Sequence, residues 1–134
     1  MHAKNIVHRD IKPANIMLDY KDNVKDCMKL EFRSALVDFG FATILPDGAR
    51  CAQRYGTPLY MAPEVLAGAM YDSQADIWSF GVTLFELLTG KVPFDGNSSR
   101  EIMNEHVQST ISFPKSDSIS YLCMDFISHC LVYS

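Results

Sequence analysis

Along the last two thirds of the chain, apolar residues recur at helical spacing; in the first third they come in short runs between polar stretches. Ile77, Trp78, Phe80, Val82, Leu84, Phe85, Leu87 and Leu88 predict a helix from about Gln74 to Thr89. They cover almost every face, which describes a helix buried in a core. Ser73 with Asp76 predicts a capping box, Gly90 a C-terminal cap with Pro93 beyond it, and Gly81 a close approach by another element. A second helix is expected from Ser98, capped through Glu101. A third is expected over about Ser118–Leu131, where Ile119, Leu122, Cys123, Phe126, Ile127, Cys130 and Leu131 form one stripe. Only Val132-Tyr133-Ser134 comes after it, so the rest of its cover is expected to be absent or on another chain.

Ile6-Val7, Ile16-Met17-Leu18 and Ala35-Leu36-Val37 read as short strands. Between the first two lies a polar loop, His8 to Asn15, broken by Pro13. Residues 19–33 mix Asp19, Asp22, Asp26 and Glu31 with Lys21, Lys25, Lys29 and Arg33, and read as a solvated loop or short surface helix. Pro46-Asp47-Gly48 marks a turn, and Gly56-Thr57-Pro58 and Ala62-Pro63 mark further loops.

The composition narrows this picture without directing it. The chain has 134 residues, 48% hydrophobic and 21% charged, with a formal charge of −4, as expected of one globular domain. The mildly acidic balance gives no footprint for nucleic acid or anionic membrane. The longest apolar candidate, Ile77–Leu88, is too short and too interrupted to span a bilayer, and residues 1–5 lack a signal-peptide core, so an intracellular setting, cytoplasmic or nuclear, is expected. Cys27, Cys51, Cys123 and Cys130 show no C-x-x-C spacing and read as free thiols, with Cys123 and Cys130 as buried apolar positions rather than metal ligands with His129. Asn97-Ser98-Ser99 fits a glycosylation sequon but reads as a loop and helix cap.

The candidate chemistry lies in Asp10, Asn15 and Asp38, hard oxygen donors of the kind that suits Mg²⁺. Singly, each reads as a turn or cap residue. Together they fall within Ile6-Val7-His8-Arg9-Asp10-Ile11-Lys12-Pro13-Ala14-Asn15 and Asp38-Phe39-Gly40, succeeded in order by Gly56-Thr57-Pro58-Leu59-Tyr60-Met61-Ala62-Pro63-Glu64 and Asp76-Ile77-Trp78-Ser79-Phe80-Gly81. This ordered set resembles the C-terminal lobe of a eukaryotic protein kinase of the serine/threonine type, from residue 1 to about 131.

The resemblance implies an α+β fold: a truncated, mostly helical C-lobe with a short β hairpin, so that 1–134 is a partial kinase domain without its N-lobe. It implies that Asp10 orients the substrate hydroxyl and accepts its proton. Asn15 and Asp38 would hold Mg²⁺ against the ATP phosphates, and Lys12 would contact the γ-phosphate. Lys12 and Thr57 fit the serine/threonine pattern, Thr57 hydrogen-bonding near Asp10 and Lys12. Asp76 would hydrogen-bond the backbone of the catalytic loop, and His8 is expected to be a packing residue. Glu64 would pair with an arginine further along a kinase chain than this sequence runs. Asp38–Glu64 would be the activation segment. Arg9 before Asp10 usually accompanies activation by phosphate. Residues 44–56, however, contain no serine or threonine; Tyr55 is the sole hydroxyl there, and Thr43 and Thr57 flank the gap, so phosphorylation of this segment is not expected.

The sequence departs from the family in having no Gly-rich loop, no strand lysine for the α/β-phosphates and no helix glutamate to pair with it. Met1 is expected to be an internal methionine of a longer protein that supplies the N-lobe. The stretch from Asp10 to Asp38 is longer than the family habit, with the excess near Asp26–Arg33, either a hairpin insertion or an error of the coding sequence. Two functions are compatible with these residues. One is a fragment of a kinase that phosphorylates protein serine or threonine with Mg-ATP, inactive alone. The other is a non-catalytic kinase-like binding module or scaffold.

Overall fold

The computed structural model describes residues 1–20, 32–114 and 119–132. The short apolar runs pair into two antiparallel two-stranded sheets. Strand β1 (Ile6–Val7) faces β4 (Thr43–Ile44), with Val7 opposite Thr43. Strand β2 (Ile16–Tyr20) faces β3 (Phe32–Leu36), from Ile16 opposite Leu36 to Tyr20 opposite Phe32. This corrects the polar-loop reading of 19–33 at both ends, because residues 19–20 and 32–33 continue the ladder. Once Ile16 and Leu36 set the register, backbone hydrogen bonding can carry the ladder through the polar pair Asp19–Arg33 to Tyr20–Phe32. The middle of that stretch, including most of the apparent excess near Asp26–Arg33, lies outside the described residues.

Four helices complete the described chain: α1 (Pro63–Leu66), α2 (Gln74–Thr89), α3 (Ser99–Gln108) and α4 (Tyr121–Cys130). Ser98 and Ser120 cap α3 and α4 by accepting from the backbone N–H of Glu101 and Cys123. Gly90 ends α2 at φ 75°, its N–H returned to Glu86 O. The expected capping box at Ser73 does not form. Ser73 is already helical, Asp72 Oδ1 accepts from Gln74 N at 2.8 Å, and the Asp76 carboxylate is turned elsewhere.

The core is α2 with α1, the ends of α3 and α4, and the loops between them: Val65, Trp78, Val82, Phe85, Phe94, Ile102 and Ile127 are all buried. Gly81 is where α4 comes closest. A Cβ there would lie 2.7 Å from Cys130 Cβ and 3.0 Å from a Leu131 methyl. One expectation changes in kind. Helix α2 is fully buried on one side only: Ile77, Phe80, Leu87 and Leu88 reach solvent, as do Leu122 and Phe126 of α4, with Phe80 set edge-on to Phe126 at 6.5 Å. The described elements bury the Trp78–Val82–Phe85 side, while α4 covers the other only in part. Cys123 and Cys130 are accordingly half-buried rather than buried. Among the described residues, no helix is long and apolar enough to cross a membrane.

Candidate active site

The loop His8–Asn15 runs from β1 to β2, and its backbone is pinned by α2. Asp76, 1% exposed, accepts from His8 N on Oδ2 at 2.8 Å and from Arg9 N on Oδ1 at 2.9 Å. Oδ2 also meets His2 Nε2 at 2.8 Å. Arg9 is left-handed, at φ 70°. That conformation costs a residue with a Cβ about 1–2 kcal/mol, and two bonds to a buried carboxylate offset a cost of this size. His8 packs beneath the loop, fully buried, with its ring 4.8 Å from that of Phe39.

On this base a closed polar network forms. Thr57 Oγ1 donates to Asp10 Oδ1 at 2.8 Å and accepts from Lys12 Nζ at 2.8 Å. Lys12 Nζ lies 2.9 Å from Asp10 Oδ2. Asn15 Nδ2 donates to Asp10 O at 2.8 Å and reaches Oδ2 at 3.2 Å. Burial would raise the Asp10 carboxyl above its ordinary value. The hydrogen bonds from Lys12, Thr57 and Asn15 and the Lys12 charge outweigh it and hold the group below that value. Asp10 is thus a persistent anion with two oxygens and spare lone pairs, able to accept from a further hydroxyl.

Thr57 reaches this loop because Gly56 lets two backbones meet. At φ 113°, a Cβ on Gly56 would fall 2.3 Å from Arg9 O. The next turn, Pro58–Tyr60, is fastened to α2. Ser79 Oγ donates to Tyr60 O at 2.7 Å, and Tyr60 donates its hydroxyl to Glu86 at 2.6 Å. Burial and then the Glu86 carboxylate raise the Tyr60 hydroxyl, so it stays a donor.

Asp38 stands outside the network. It is exposed and left-handed at φ 60°, and among the described residues its side chain accepts only from Gly40 N, on Oδ1 at 3.3 Å. Asn15 spends its Nδ2 on Asp10, and none of the network's bonds uses its Oδ1. Asn15 Oδ1 and the Asp38 carboxylate are hard oxygen donors, so the donor set fits Mg²⁺. Glu64 is half-buried, and among the described residues no cationic group lies within 4.0 Å of it.

Sequence reasoning placed Asp10, Lys12, Asn15, Thr57 and Asp76 in one neighbourhood, but it missed His2 on Asp76 and the Tyr60–Glu86 bond. Neither has a local signal, since each joins residues far apart in the chain. Arg9 also has contacts that sequence reasoning did not foresee, with the segment after Asp38.

A family model described as the protein kinase domain matches residues 1–134. The chain is 39% identical over 131 residues to the serine/threonine-protein kinase ATG1b of Arabidopsis thaliana, covering 97% of this chain and 17% of the relative. It is 40% identical over 115 residues to ATG1c of the same plant, covering 85% and 15%. It is 47% identical over 94 residues to the serine/threonine-protein kinase unc-51 of Caenorhabditis elegans, covering 70% and 11%. The chain belongs to the protein kinase family, and its helices with two small antiparallel sheets are consistent with that family's fold. It spans less than a fifth of the length of these three relatives.

Proposed function

We propose that this chain is the part of a serine/threonine kinase that holds the catalytic loop and activation segment, a partial C-lobe whose N-lobe belongs to the parent protein. The observation that carries the reading is the Lys12–Thr57–Asp10–Asn15 network. In that role Asp10 accepts a hydrogen bond from the serine or threonine hydroxyl of a protein substrate. It takes the proton as the hydroxyl oxygen bonds to the γ-phosphorus of ATP and the bond to ADP breaks. A carboxylate held this far toward its anion is a weak base. Its work is therefore to orient the nucleophile and to receive a proton late, as suits a loose phosphoryl transition state. Lys12 brings its charge to the transferred phosphate while Thr57 holds both side chains in register. Asn15 and Asp38 would hold Mg²⁺, which when bound neutralises charge on the ATP phosphates. Arg9 and Asp76 are support: they fix the loop and the segment around it; Glu64 would join them in the parent protein, where an arginine could pair with it. Such a protein would act where Mg-ATP and protein substrates meet, in the cytoplasm or nucleus.

The chain alone is expected to be inactive, because Asp38 is held on one side only and nothing among the described residues grips adenine. The test is transfer of labelled phosphate from Mg-ATP to a basic protein substrate. The expectation is no incorporation by the chain alone. Incorporation is expected when it is joined to a kinase N-lobe, and loss of it in Asp10→Asn and Asp38→Asn. Label transferred by the chain alone and lost in Asp10→Asn would overturn the inactivity; transfer by the joined protein that survives Asp10→Asn would overturn the role of Asp10. The partly covered apolar side of α2 with Phe126 favours the second reading, a binding module without catalysis. That reading predicts no transfer from the joined protein at all.

A further inference from the structure

The Arg9 backbone belongs to the loop, but its guanidinium serves another part of the molecule. Nε donates to Phe41 O at 2.5 Å. Nη1 lies 3.5 Å from both Cys51 Sγ and Gln53 Oε1. Cζ sits 4.7 Å above the centre of the Tyr55 ring, and that ring stacks on Phe41 at 5.4 Å and 18°. One side chain thus ties the start of the segment at Phe41 to its return at Cys51–Tyr55. Among the described residues, no carboxylate lies within 4.0 Å of Arg9. Its partners are a carbonyl, an amide, a sulfur and an aromatic face, all supplied by the chain.

The covalent sequence agrees. Between Ile44 and Gly56 there is no serine or threonine, and the sole hydroxyl is on Tyr55, whose ring already covers the guanidinium. The two residues after Tyr55 reach the site directly. Gly56 lies against Arg9 O, and Thr57 donates to Asp10. Holding Tyr55 on Arg9 therefore sets where the Thr57 hydroxyl falls.

We propose that Arg9, Gln53 and Tyr55 form a clamp that docks the segment after Asp38 onto the Asp10 loop without any added phosphate, with the Tyr55 ring as the positioning group. The functional consequence rests on the proposed catalytic role of Asp10; the clamp itself does not. Cation–π contact needs the ring and not its hydroxyl, so Tyr55→Phe keeps the clamp and Tyr55→Ala releases it.

The test is limited trypsin digestion of the full 134-residue chain, made without phosphate as verified by intact mass. Cleavage after Arg50, whose neighbours the substitutions leave untouched, is compared with cleavage after Arg100 on α3. Tyr55→Ala is expected to raise the Arg50-to-Arg100 ratio about three- to tenfold, as loss of a partly exposed cation–π contact and its stacking allows. Tyr55→Phe is expected to match the parent. Millimolar inorganic phosphate is expected to change neither. An unmoved ratio in Tyr55→Ala overturns the proposal, and so does a parallel rise at Arg100, which reports general unfolding instead of release of the segment. Tyr55→Phe behaving like Tyr55→Ala would mean that the hydroxyl is needed. Protection of Arg50 by phosphate would mean that Arg9 awaits an anion. Either result overturns the clamp. No catalysis enters the readout, so the clamp can fail while the kinase reading stands, and the reverse.

Discussion

Asp10 and Asp38 are both carboxylates of the proposed site, yet they are held in different ways. Asp10 is 5% exposed, and three side chains from two segments converge on its oxygens. Asp38 lies in solvent on a left-handed backbone, with one long bond to Gly40 N, and Phe39 next to it is 51% exposed. The half of the site around Asp10 is assembled by this chain from within, because α2 and the Thr57 turn buttress it. The half around Asp38 has its residue in place without a surrounding shell, and it is the half that would need contacts from elsewhere to become precise.

The strongest way to break this contrast is to remove the buttress. Asp76→Ala leaves the buried N–H of His8 and the half-buried N–H of Arg9 unpaired and frees a strained Arg9. A loss of about 3–5 kcal/mol in denaturant unfolding, tracked by the single tryptophan Trp78, is expected. A loss below about 1 kcal/mol would mean that the loop holds itself.

A second effect separates the helical core from the site. His106 is buried against Trp78 and Phe94, with neither ring nitrogen hydrogen-bonded among the described residues, and burial lowers its pKa to about 4. The unfolded chain takes up a proton near pH 6.5 that the folded chain refuses. Stability from this group is therefore complete above about pH 6.5 and falls as pH drops toward about 4, by up to about 3 kcal/mol. His106→Leu should flatten that part of the stability–pH profile, measured by urea midpoints across the range.

Smaller still, Thr57→Ala removes one donor from Asp10 and one acceptor from Lys12. A loss of about 1–2 kcal/mol is expected, with most of it restored in Thr57→Ser. The Asp10 carboxyl, monitored by carbon NMR, should titrate below its ordinary value in the parent and move up in Thr57→Ala. Because the folded value is lowered, its share of stability is present above the ordinary value and lost as pH falls through the folded one. Smallest of all, Asp38→Ala should change stability by no more than about 0.5 kcal/mol, as befits an exposed side chain. A loss as large as that of Thr57→Ala would erase the difference between the two carboxylates.

The helices were legible where periodicity and caps agreed. The bounds of α2 at Gln74 and Thr89 come from its apolar run and Gly90, and Ser98 announces α3 through Glu101. The capping box at Ser73 failed because a local rule assumed that Asp76 was free, whereas its carboxylate is committed to a loop more than sixty residues away. The two-residue pairing of β1 with β4 was hidden for a related reason: so short a ladder has no period of its own. Asp10, Asn15 and Asp38 were found through an ordered set of motifs, which says which residues belong together but not how tightly each is held. Burial and partner geometry carry that second kind of information, as the apolar residues of α2 also illustrate. Nothing in their spacing separates Trp78, which is buried, from Leu87, which is 60% exposed.

The bonds from Asp76 to His8 and Arg9 also bear on how the molecule forms. They close loops of 68 and 67 residues, so the entropy of bringing their ends together must be met before they form. Helix α2 can grow from its own local contacts, while the left-handed turn at Arg9 is spanned locally by one long bond, from Asp10 N to His8 Nδ1 at 3.3 Å. The site is therefore expected to mature last in folding, and a nascent chain emerging residue by residue would carry the His8–Asn15 segment long before it could carry the shape of the site.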